Sequence, residues 1–266
     1  MPHENILWKN KKSVRSYTKE MYGKASGVKD EKYVKKYIAD KNKVKIVDLG
    51  IGSGRELKWL CKIKNIKEIV GIDYSRAFLD ICKKESKKYK TKVSLINDDI
   101  LLLGKSKKFV KKEKLPIIYM CLINTFGNFS EKQRIKILNN LRKIVNKKDR
   151  LILCLYKRPE TIKTKMFLPG HIKVKNKNQS EIKIAELIEY ASMNFLLNPI
   201  VEKYQQFPRI WYNNKTNDIT IYIGRKKILI SHRFSKEEII GMVKKAKFKI
   251  EKLIEGKFMW VVISKI

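Results

Sequence analysis

Residues 45–54 read Lys-Ile-Val-Asp-Leu-Gly-Ile-Gly-Ser-Gly, and they carry the strongest structural signal in the chain. An apolar, β-branched run leads into three glycines at alternate positions, the pattern of a buried strand that ends in a glycine-rich turn and opens a helix. Such a turn lets a ligand approach the backbone closely. A second apolar run ends in Asp73, where an acid is placed to hold a ribose. Together the glycines and Asp73 predict a nucleoside site.

The spacing of the glycines bears on which nucleoside is bound. A dinucleotide site requires Gly-x-Gly-x-x-Gly, whose third glycine lets helix and strand pack closely under a pyrophosphate. In this chain Gly50, Gly52 and Gly54 form Gly-x-Gly-x-Gly, and Arg55 fills the later position. The sequence therefore disfavours NAD.

Four motifs in order resemble those of the class I S-adenosylmethionine-dependent methyltransferases. Residues 48–54 match the first motif of that family, which is close to Asp-Leu-Gly-x-Gly-x-Gly, and residues 71–75, 97–100 and 117–124 resemble the next three. The resemblance covers residues 44–156 and resumes over 233–248, which are similar to the family's final helix and the strand after it. It implies a Rossmann-like enzyme with S-adenosylmethionine as its cofactor.

Strands and helices alternate along the chain, which predicts an α/β protein with a parallel sheet. The resemblance implies a mostly parallel seven-stranded sheet with an antiparallel last strand and helices on both faces. The short Glu255-Gly256 turn fits this, because strands joined so closely must be antiparallel. The predicted strands are 44–49, 67–72, 92–96, 116–122, 149–156, 247–254 and 257–264, and the predicted helices are 30–39, 54–64, 75–88, 130–145 and 235–246.

Two further segments complete the predicted organisation. Residues 1–43 are interpreted as an N-terminal helical segment near the cofactor site, and residues 44–266 as the methyltransferase domain. The alternation breaks over 157–216, a stretch with a helical pattern at 181–196 that is too apolar for a linker, and we interpret it as an insertion that acts as a substrate lid. Residues 220–231 contain two short strands around a glycine, which is a hairpin signal.

The resemblance implies roles for the residues of the first two motifs. Gly50, Gly52 and Gly54 would let the backbone pass close to the methionine part of the cofactor. Asp48 would orient the loop or meet the methionine ammonium, directly or through water. Asp73 would accept hydrogen bonds from both ribose hydroxyls, the alternative being a helix cap.

The later motifs are expected at the adenine and near the acceptor. By the family pattern Tyr74 would lie against the adenine, and Asp99 would accept from the adenine amino group, with Asp98 as a close competitor. The backbone N–H of Ile100 would meet a ring nitrogen. Asn124 follows the fourth strand and could contact the ammonium or the substrate, because open α/β sheets bind ligands at the carboxyl ends of their strands. Polar turns are the alternative interpretation.

No residue is assigned as catalytic. Methyl transfer is an in-line displacement at an activated carbon, so the protein mainly supplies positioning, which can be worth about 7–11 kcal/mol. His171, His232 and Tyr156 are candidates for a base, although a lone histidine is more often structural. Cys121 lies within an apolar run and favours a core position over a nucleophile. Residues 124–129 lack the proline-containing motif of enzymes that methylate adenine amino groups.

The formal net charge of +36 raises the question of a nucleic-acid partner. Of the 62 basic residues only 10 are arginine, the side chain best suited to read phosphates. The chain is also rich in isoleucine and asparagine, as an AT-rich genome produces. Compositional bias is therefore favoured over a functional basic surface, which stays as the alternative.

Composition also restricts the compartment and the cofactor class. The four cysteines form no Cys-x-x-Cys pair and there are only three histidines, so no metal site is predicted. The sequence predicts a cytoplasmic protein without a signal peptide or membrane span. The favoured function is methyl transfer to an oxygen or nitrogen of a small molecule. The alternatives are an RNA methyltransferase that uses the basic surface and a non-catalytic nucleoside-binding module.

Overall fold

The computed structural model describes residues 6–23, 30–39, 42–103, 114–158, 173–174, 208–213, 216–256 and 258–266. Its strands are β1 (Val44–Leu49), β2 (Ile66–Asp73), β3 (Lys92–Asn97), β4 (Ile117–Cys121), β5 (Arg150–Tyr156), β6 (Lys173–Val174), β7 (Pro208–Asn213), β8 (Asp218–Ile223), β9 (Lys226–His232), β10 (Phe248–Glu255) and β11 (Phe258–Lys265). Its helices are α1 (Lys11–Gly23), α2 (Asp30–Ala39), α3 (Leu57–Leu60), α4 (Arg76–Ser86), α5 (Glu131–Ile144) and α6 (Lys236–Lys245).

Seven strands form the main sheet in the order β10-β11-β5-β4-β1-β2-β3. The five strands from β5 to β3 are parallel, whereas β11 is antiparallel to both of its neighbours. The predicted sheet with its antiparallel last strand is thus confirmed. Chain order reverses between β1 and β4, so the loops that follow these two strands diverge and leave room for a ligand at their carboxyl ends.

Helices cover both faces of this sheet, as predicted. One buried cluster joins alternate side chains of the central strands, such as Val47 and Leu49 of β1, to α5 and α6. The other joins Ile46 of β1 and its neighbours to α2, α3 and α4. Both faces of β1 are apolar because a parallel strand between two helical layers is buried on each side.

The glycine-rich turn makes α3 shorter than the predicted helix over 54–64. Gly54 has φ +82°, a conformation outside the helical region, so helical geometry cannot begin there. Turns continue to Glu56, and α3 spans only Leu57–Leu60. The other predicted helices and strands of the main sheet are present with shifts of one or two residues at their ends.

A second sheet has the order β6-β7-β8-β9. Its β8 and β9 form the predicted hairpin, and Gly224 takes φ +58° in the turn between them. Of the proposed lid, the structure describes two short strands, β6 and β7, and the end residues 157, 158 and 216. The predicted helix over 181–196 lies outside it, so its prediction is not tested.

Candidate functional site

The glycine-rich loop connects β1 to α3 at the carboxyl edge of the main sheet. The N–H groups of Gly50 and Ile51 both donate to the Ile72 carbonyl, at 2.8 and 3.1 Å, which holds the loop against the end of β2. Gly52 has φ +56°, and a Cβ added there meets no atom within 4 Å. At Gly54, in contrast, such a Cβ would lie 2.7 Å from Cys82 Sγ. The backbone at Gly52 therefore faces open space, where a ligand can approach it.

Asp73 at the end of β2 is bonded directly to this loop. Its Oδ2 accepts a hydrogen bond from the Gly52 N–H at 3.0 Å, and its Oδ1 accepts one from the Ser75 N–H at 2.8 Å. Burial raises the pKa of the Asp73 carboxyl to about 6, although both backbone bonds act in the opposite direction. Ser75 itself caps α4 by accepting from the Phe78 N–H. The glycines and Asp73 thus lie together, as expected from their motifs.

Asp48 lies within β1 beside the loop and is 2% exposed. Its Oδ2 is buried and has no hydrogen-bond partner among the described residues. Burial, and then the nearby Glu56 carboxylate, raise the pKa of Asp48 well above its ordinary value. Because a buried carboxylate oxygen without a partner is costly, the site favours a ligand that brings a positive charge to it. The methionine ammonium of S-adenosylmethionine has this charge.

Three charged residues that sequence reasoning did not assign act electrostatically on the pKa of Asp48, namely Glu56, Arg55 and Asp30. Arg55 Nη2 contacts Asp30 Oδ2 and Glu56 Oε1, each at 2.5 Å. Asp30 comes from the N-terminal segment, where it is the first residue of α2. The only sequence signal was Arg55 at the place of a glycine, because nothing in the spacing relates Asp30 to residues 25 positions later.

Residues 97–99 lie next to Asp73 through the end of β3. Asn97 Nδ2 donates to the carbonyls of Asp73 and Tyr74, both at 3.0 Å, and the Asp98 N–H donates to the Asp73 carbonyl at 3.2 Å. Asp99 Oδ1 accepts from the Leu101 N–H at 2.9 Å and so caps a short 3-10 helix, Ile100–Leu102. Burial raises the pKa of the Tyr74 phenol, and the Asp73 and Asp99 carboxylates raise it further. Tyr74, Asp98, Asp99 and Ile100 are therefore near the ribose-binding candidate.

Asn124 serves a structural purpose at the end of β4. It has a left-handed backbone conformation with φ 56°. Its Nδ2 donates to Ser231 Oγ at 3.1 Å and to the His232 carbonyl at 3.2 Å, and its Oδ1 accepts from the Tyr156 N–H at 3.1 Å. Both amide hydrogens are used within the protein. A cofactor or substrate bond donated by the Asn124 side chain would have to replace one of them.

His232 does not have a free nitrogen to act as a base. Its Nδ1 lies 2.7 Å from Asp218 Oδ1 and its Nε2 lies 2.7 Å from Glu238 Oε1. Ionised carboxylates only accept hydrogen bonds, so a ring nitrogen of His232 that carries a proton has an acceptor beside it. Arg134 also pairs with Glu238, at 3.4 Å. Both ring nitrogens of His232 are thus paired within the protein, and a role as the base would require one of these contacts to open.

The other candidates for a catalytic role lie in different surroundings. His171 lies outside the described residues. Tyr156 ends β5, where the Arg233 guanidinium lies 4.4 Å from the centre of its ring and the Phe258 ring packs at 5.4 Å. Cys121 is buried in the core, and burial raises the pKa of its thiol, which confirms a core residue and not a nucleophile. Within the described ranges, no group of three or more histidine, cysteine or acidic residues could hold a metal ion.

Comparisons with known proteins agree with this geometry. The family model of a methyltransferase domain matches residues 46–148. No curated protein sequence matches the chain significantly. None of the helices that the structure describes is long and apolar enough to cross a membrane.

Solved structures share the fold over nearly the whole chain. An S-adenosylmethionine-dependent methyltransferase from Clostridium acetobutylicum is 11% identical and covers 94% of this chain and 98% of that protein, with a TM-score of 0.58. A TehB-like methyltransferase from Corynebacterium glutamicum is 12% identical over 97% and 100%, with a TM-score of 0.54. The 1,6-didemethyltoxoflavin-N1-methyltransferase of Burkholderia thailandensis is 8% identical over 95% and 87%, with a TM-score of 0.53. At these identities the likeness is one of fold.

Proposed function

We propose that this chain, which belongs to the class I S-adenosylmethionine-dependent methyltransferases, transfers a methyl group to an oxygen or nitrogen atom of a small molecule. Its cofactor is S-adenosylmethionine, which supplies a methyl group already activated by the sulfonium. The protein's own task is therefore to bind, orient and exclude water. The observation that carries the proposal is the bond from Gly52 to Asp73 beside the unpaired Asp48 oxygen.

Each side of this site suits one part of the cofactor. We assign the ribose diol to Asp73, since both carboxylate oxygens keep a lone pair besides the bonds from Gly52 and Ser75. We assign the methionine ammonium to Asp48. The open backbone at Gly52 would lie against the methionine part. Tyr74, Asp98, Asp99 and the Ile100 N–H are proposed for the adenine, at the adjoining end of β3.

A small acceptor is favoured over RNA for two reasons. The relative from Burkholderia thailandensis carries a small molecule, 1,6-didemethyltoxoflavin, beside S-adenosylhomocysteine. The basic charge consists mostly of lysine, which fits a compositional origin.

We propose that residues 157–216 cover the acceptor and that residues 1–43 adjoin the cofactor. Because both ring nitrogens of His232 are paired with acids, we propose that the protein promotes the reaction by positioning its substrates and not through a base at His232.

The compartment is proposed to be cytoplasmic. Cys61, Cys82, Cys121 and Cys154 are all free thiols. Free, mostly buried cysteines are typical of proteins from reducing compartments.

Calorimetric titration tests the cofactor assignment. The chain is expected to bind S-adenosylmethionine and S-adenosylhomocysteine but not NAD, since a dinucleotide requires the third glycine that this chain lacks. Micromolar binding of NAD without binding of S-adenosylmethionine would contradict the proposal.

Transfer of a tritiated methyl group into fractionated cell extract tests the acceptor. Label is expected in the small-molecule fraction, with a rate that hardly changes between low and high salt, because a pocket for a small acceptor does not depend on phosphate contacts. Binding to arbitrary RNA should stay near ~10⁻⁴–10⁻⁶ M at physiological salt and fall steeply as salt rises. Discrete labelling of one RNA species would instead support the RNA alternative.

A further inference from the structure

The chain leaves β4 through a corner with a strained backbone. Ile123 has φ 46° and Asn124 has φ 56°, so two consecutive residues other than glycine take the left-handed conformation. Asparagine tolerates this region, whereas a β-branched residue such as isoleucine rarely adopts it. Strain of this kind persists only where the surrounding structure enforces it, and it is concentrated at functional sites.

The side chain of Asn124 fixes this corner to two other strands. Its Nδ2 donates to Ser231 Oγ and to the His232 carbonyl in β9, and its Oδ1 accepts from the N–H of Tyr156 at the end of β5. The residue is 2% exposed. A Cβ added to Gly127 would lie 2.4 Å from Asn124 Nδ2, so glycine leaves room there for the amide. The conformation of the corner therefore depends on where the second sheet lies.

Thr125, the next residue along the chain, lies directly against the glycine-rich loop. A Cβ added to Gly50 would lie 2.5 Å from Thr125 Cγ2, which is closer than such atoms approach in proteins. Thr125 Oγ1 donates to the Leu122 carbonyl at 2.8 Å, and this bond restrains the side chain. On its other side, Gly50 is held by the hydrogen bond from its N–H to the Ile72 carbonyl. A shift of the corner would thus change the space that the loop can occupy at Gly50.

We propose that Asn124 is a positioning residue that couples the second sheet to the cofactor loop, through the contact of Thr125 with Gly50. This inference rests on the proposed function and gives Asn124 a role other than contact with the cofactor or the substrate. The second sheet also contains β6 and β7, which belong to the segment that we assign to covering the acceptor. A movement of this sheet would alter the affinity for S-adenosylmethionine from a distance. Because such coupling is reciprocal, bound cofactor would in turn favour one placement of the sheet.

A double-mutant cycle on cofactor affinity tests the coupling. Ser231→Ala removes from the second sheet one acceptor of the Asn124 amide, and Thr125→Ser removes the methyl group that lies against Gly50. Calorimetry is expected to show that Ser231→Ala lowers the affinity for S-adenosylmethionine about three- to tenfold in the parent chain. In the Thr125→Ser background the loss should be less than about twofold, because the contact that transmits the change is missing.

Ser264→Ala is the matched control. Ser264 is buried like Ser231, but it lies on β11 next to Ile263, which pairs with Leu151 near the start of β5. It is therefore at the opposite edge of the main sheet from the glycine-rich loop. Its substitution should leave the affinity for S-adenosylmethionine within about twofold of the parent in both backgrounds, whatever its effect on the melting temperature.

The outcomes separate this inference from the proposed function. If the parent chain does not bind S-adenosylmethionine, the proposed function fails. If it binds and Ser231→Ala lowers the affinity equally in both backgrounds, or in neither, the coupling is overturned and Asn124 only stabilises the corner. Thermal unfolding establishes that each variant is folded.

Should Ser231→Ala not fold, Asn124→Asp takes its place in the cycle. A carboxylate keeps an acceptor for the Tyr156 N–H but can donate to neither Ser231 nor His232. Coupling predicts a loss of affinity that shrinks in the Thr125→Ser background. A direct contact of Asn124 with the cofactor would instead produce the same loss in both backgrounds and would overturn the positioning role.

Discussion

Two glycines of one loop have different physical reasons to be glycine. A side chain at Gly52 would enter open space at the carboxyl edge of the sheet, whereas one at Gly54 would collide with Cys82 inside the protein. Both residues have positive φ, which costs an alanine about 1–2 kcal/mol. Gly52 therefore leaves room for a ligand, whereas Gly54 leaves room for the packing of Cys82.

The matched pair Gly52→Ala and Gly54→Ala makes this testable. Gly52→Ala is expected to lose at least tenfold in affinity for S-adenosylmethionine with a small fall in melting temperature, because its methyl group fills the ligand's space. Gly54→Ala should lose more stability, since Cys82 Sγ lies 2.7 Å from the added carbon. Calorimetry and thermal unfolding of both variants provide the comparison. Equal losses of affinity and stability in the two variants would argue against a ligand at Gly52.

Asp73 gives a second prediction at the residue scale. Asp73→Asn removes a charged acceptor for the ribose, and hydrogen bonds to charged groups are worth about 1.5–3 kcal/mol. Affinity for S-adenosylmethionine is therefore expected to fall by roughly ten- to a hundredfold while the circular dichroism spectrum stays that of a folded protein. An unchanged affinity would mean that Asp73 only fastens the loop to α4 through Gly52 and Ser75.

At the scale of elements, local sequence patterns predict the strands and helices. They do not predict contacts between residues that lie far apart in the chain. Apolar runs followed by glycine or acid identify β1 and β2, because buried parallel strands have that pattern and their ends converge. The predicted start of α3 at residue 54 is wrong, because the pattern of apolar residues does not show that Gly54 takes a positive φ. The pairing of Asp30 with Arg55 depends on how α2 packs on the sheet, and local sequence does not encode that placement.

His232 illustrates the same point and connects three elements. Its pairs with Asp218 and Glu238 join the hairpin to α6, and Arg134 extends the network to α5. Hydrogen bonding to His232 lowers the pKa of Asp218 despite burial, which on its own would raise it. The sequence alone does not distinguish a structural role of His232 from a catalytic one. Its two partners, Asp218 and Glu238, are not related to it by any recognisable spacing.

His232→Gln is expected to destabilise the protein by roughly 2 kcal/mol or more. Glutamine can keep one of the two hydrogen bonds but leaves the other carboxylate without its partner; hydrogen bonds to charged groups are worth about 1.5–3 kcal/mol, and both carboxylates are partly exposed. Affinity for S-adenosylmethionine should stay within about twofold of the parent, as measured by calorimetry beside urea unfolding. Lys236→Gln is a suitable control, since its pair with Glu255 lies at the surface, where ion pairs contribute little to stability. A stable variant that has lost methyl transfer would support the assignment of His232 as a base.

At the scale of the whole molecule, charge is unevenly distributed. Several described ion pairs outside the site involve lysines whose side chains are about half exposed or more. The site instead concentrates buried carboxylates. Burial raises the pKa of Asp30 and of Asp73 to about 6 in each case, against ordinary values near 4. Without the cofactor, folding must therefore keep negative charges away from water at neutral pH.

The stability of the protein without cofactor is expected to fall as pH rises from about 5 to 7. Because the pKa of both Asp30 and Asp73 is higher in the folded than in the unfolded chain, the folded state binds protons more tightly. Their contribution to stability is thus fully present below about pH 4 and is lost as pH rises through about 6, on the order of 3 kcal/mol for each.

Urea unfolding between pH 5 and 7.5 measures this dependence, with and without S-adenosylmethionine. Asp73→Asn should flatten the profile of the free protein, because its side chain no longer ionises. Saturating cofactor should also flatten it, since its positive charge offsets the cost of the ionised acids. The lowered pKa of Asp218 acts in the opposite sense, and its stabilising effect is lost only as pH falls into the acid range. A free wild-type protein whose stability is the same at pH 5 and 7 would show that the buried acids do not control folding.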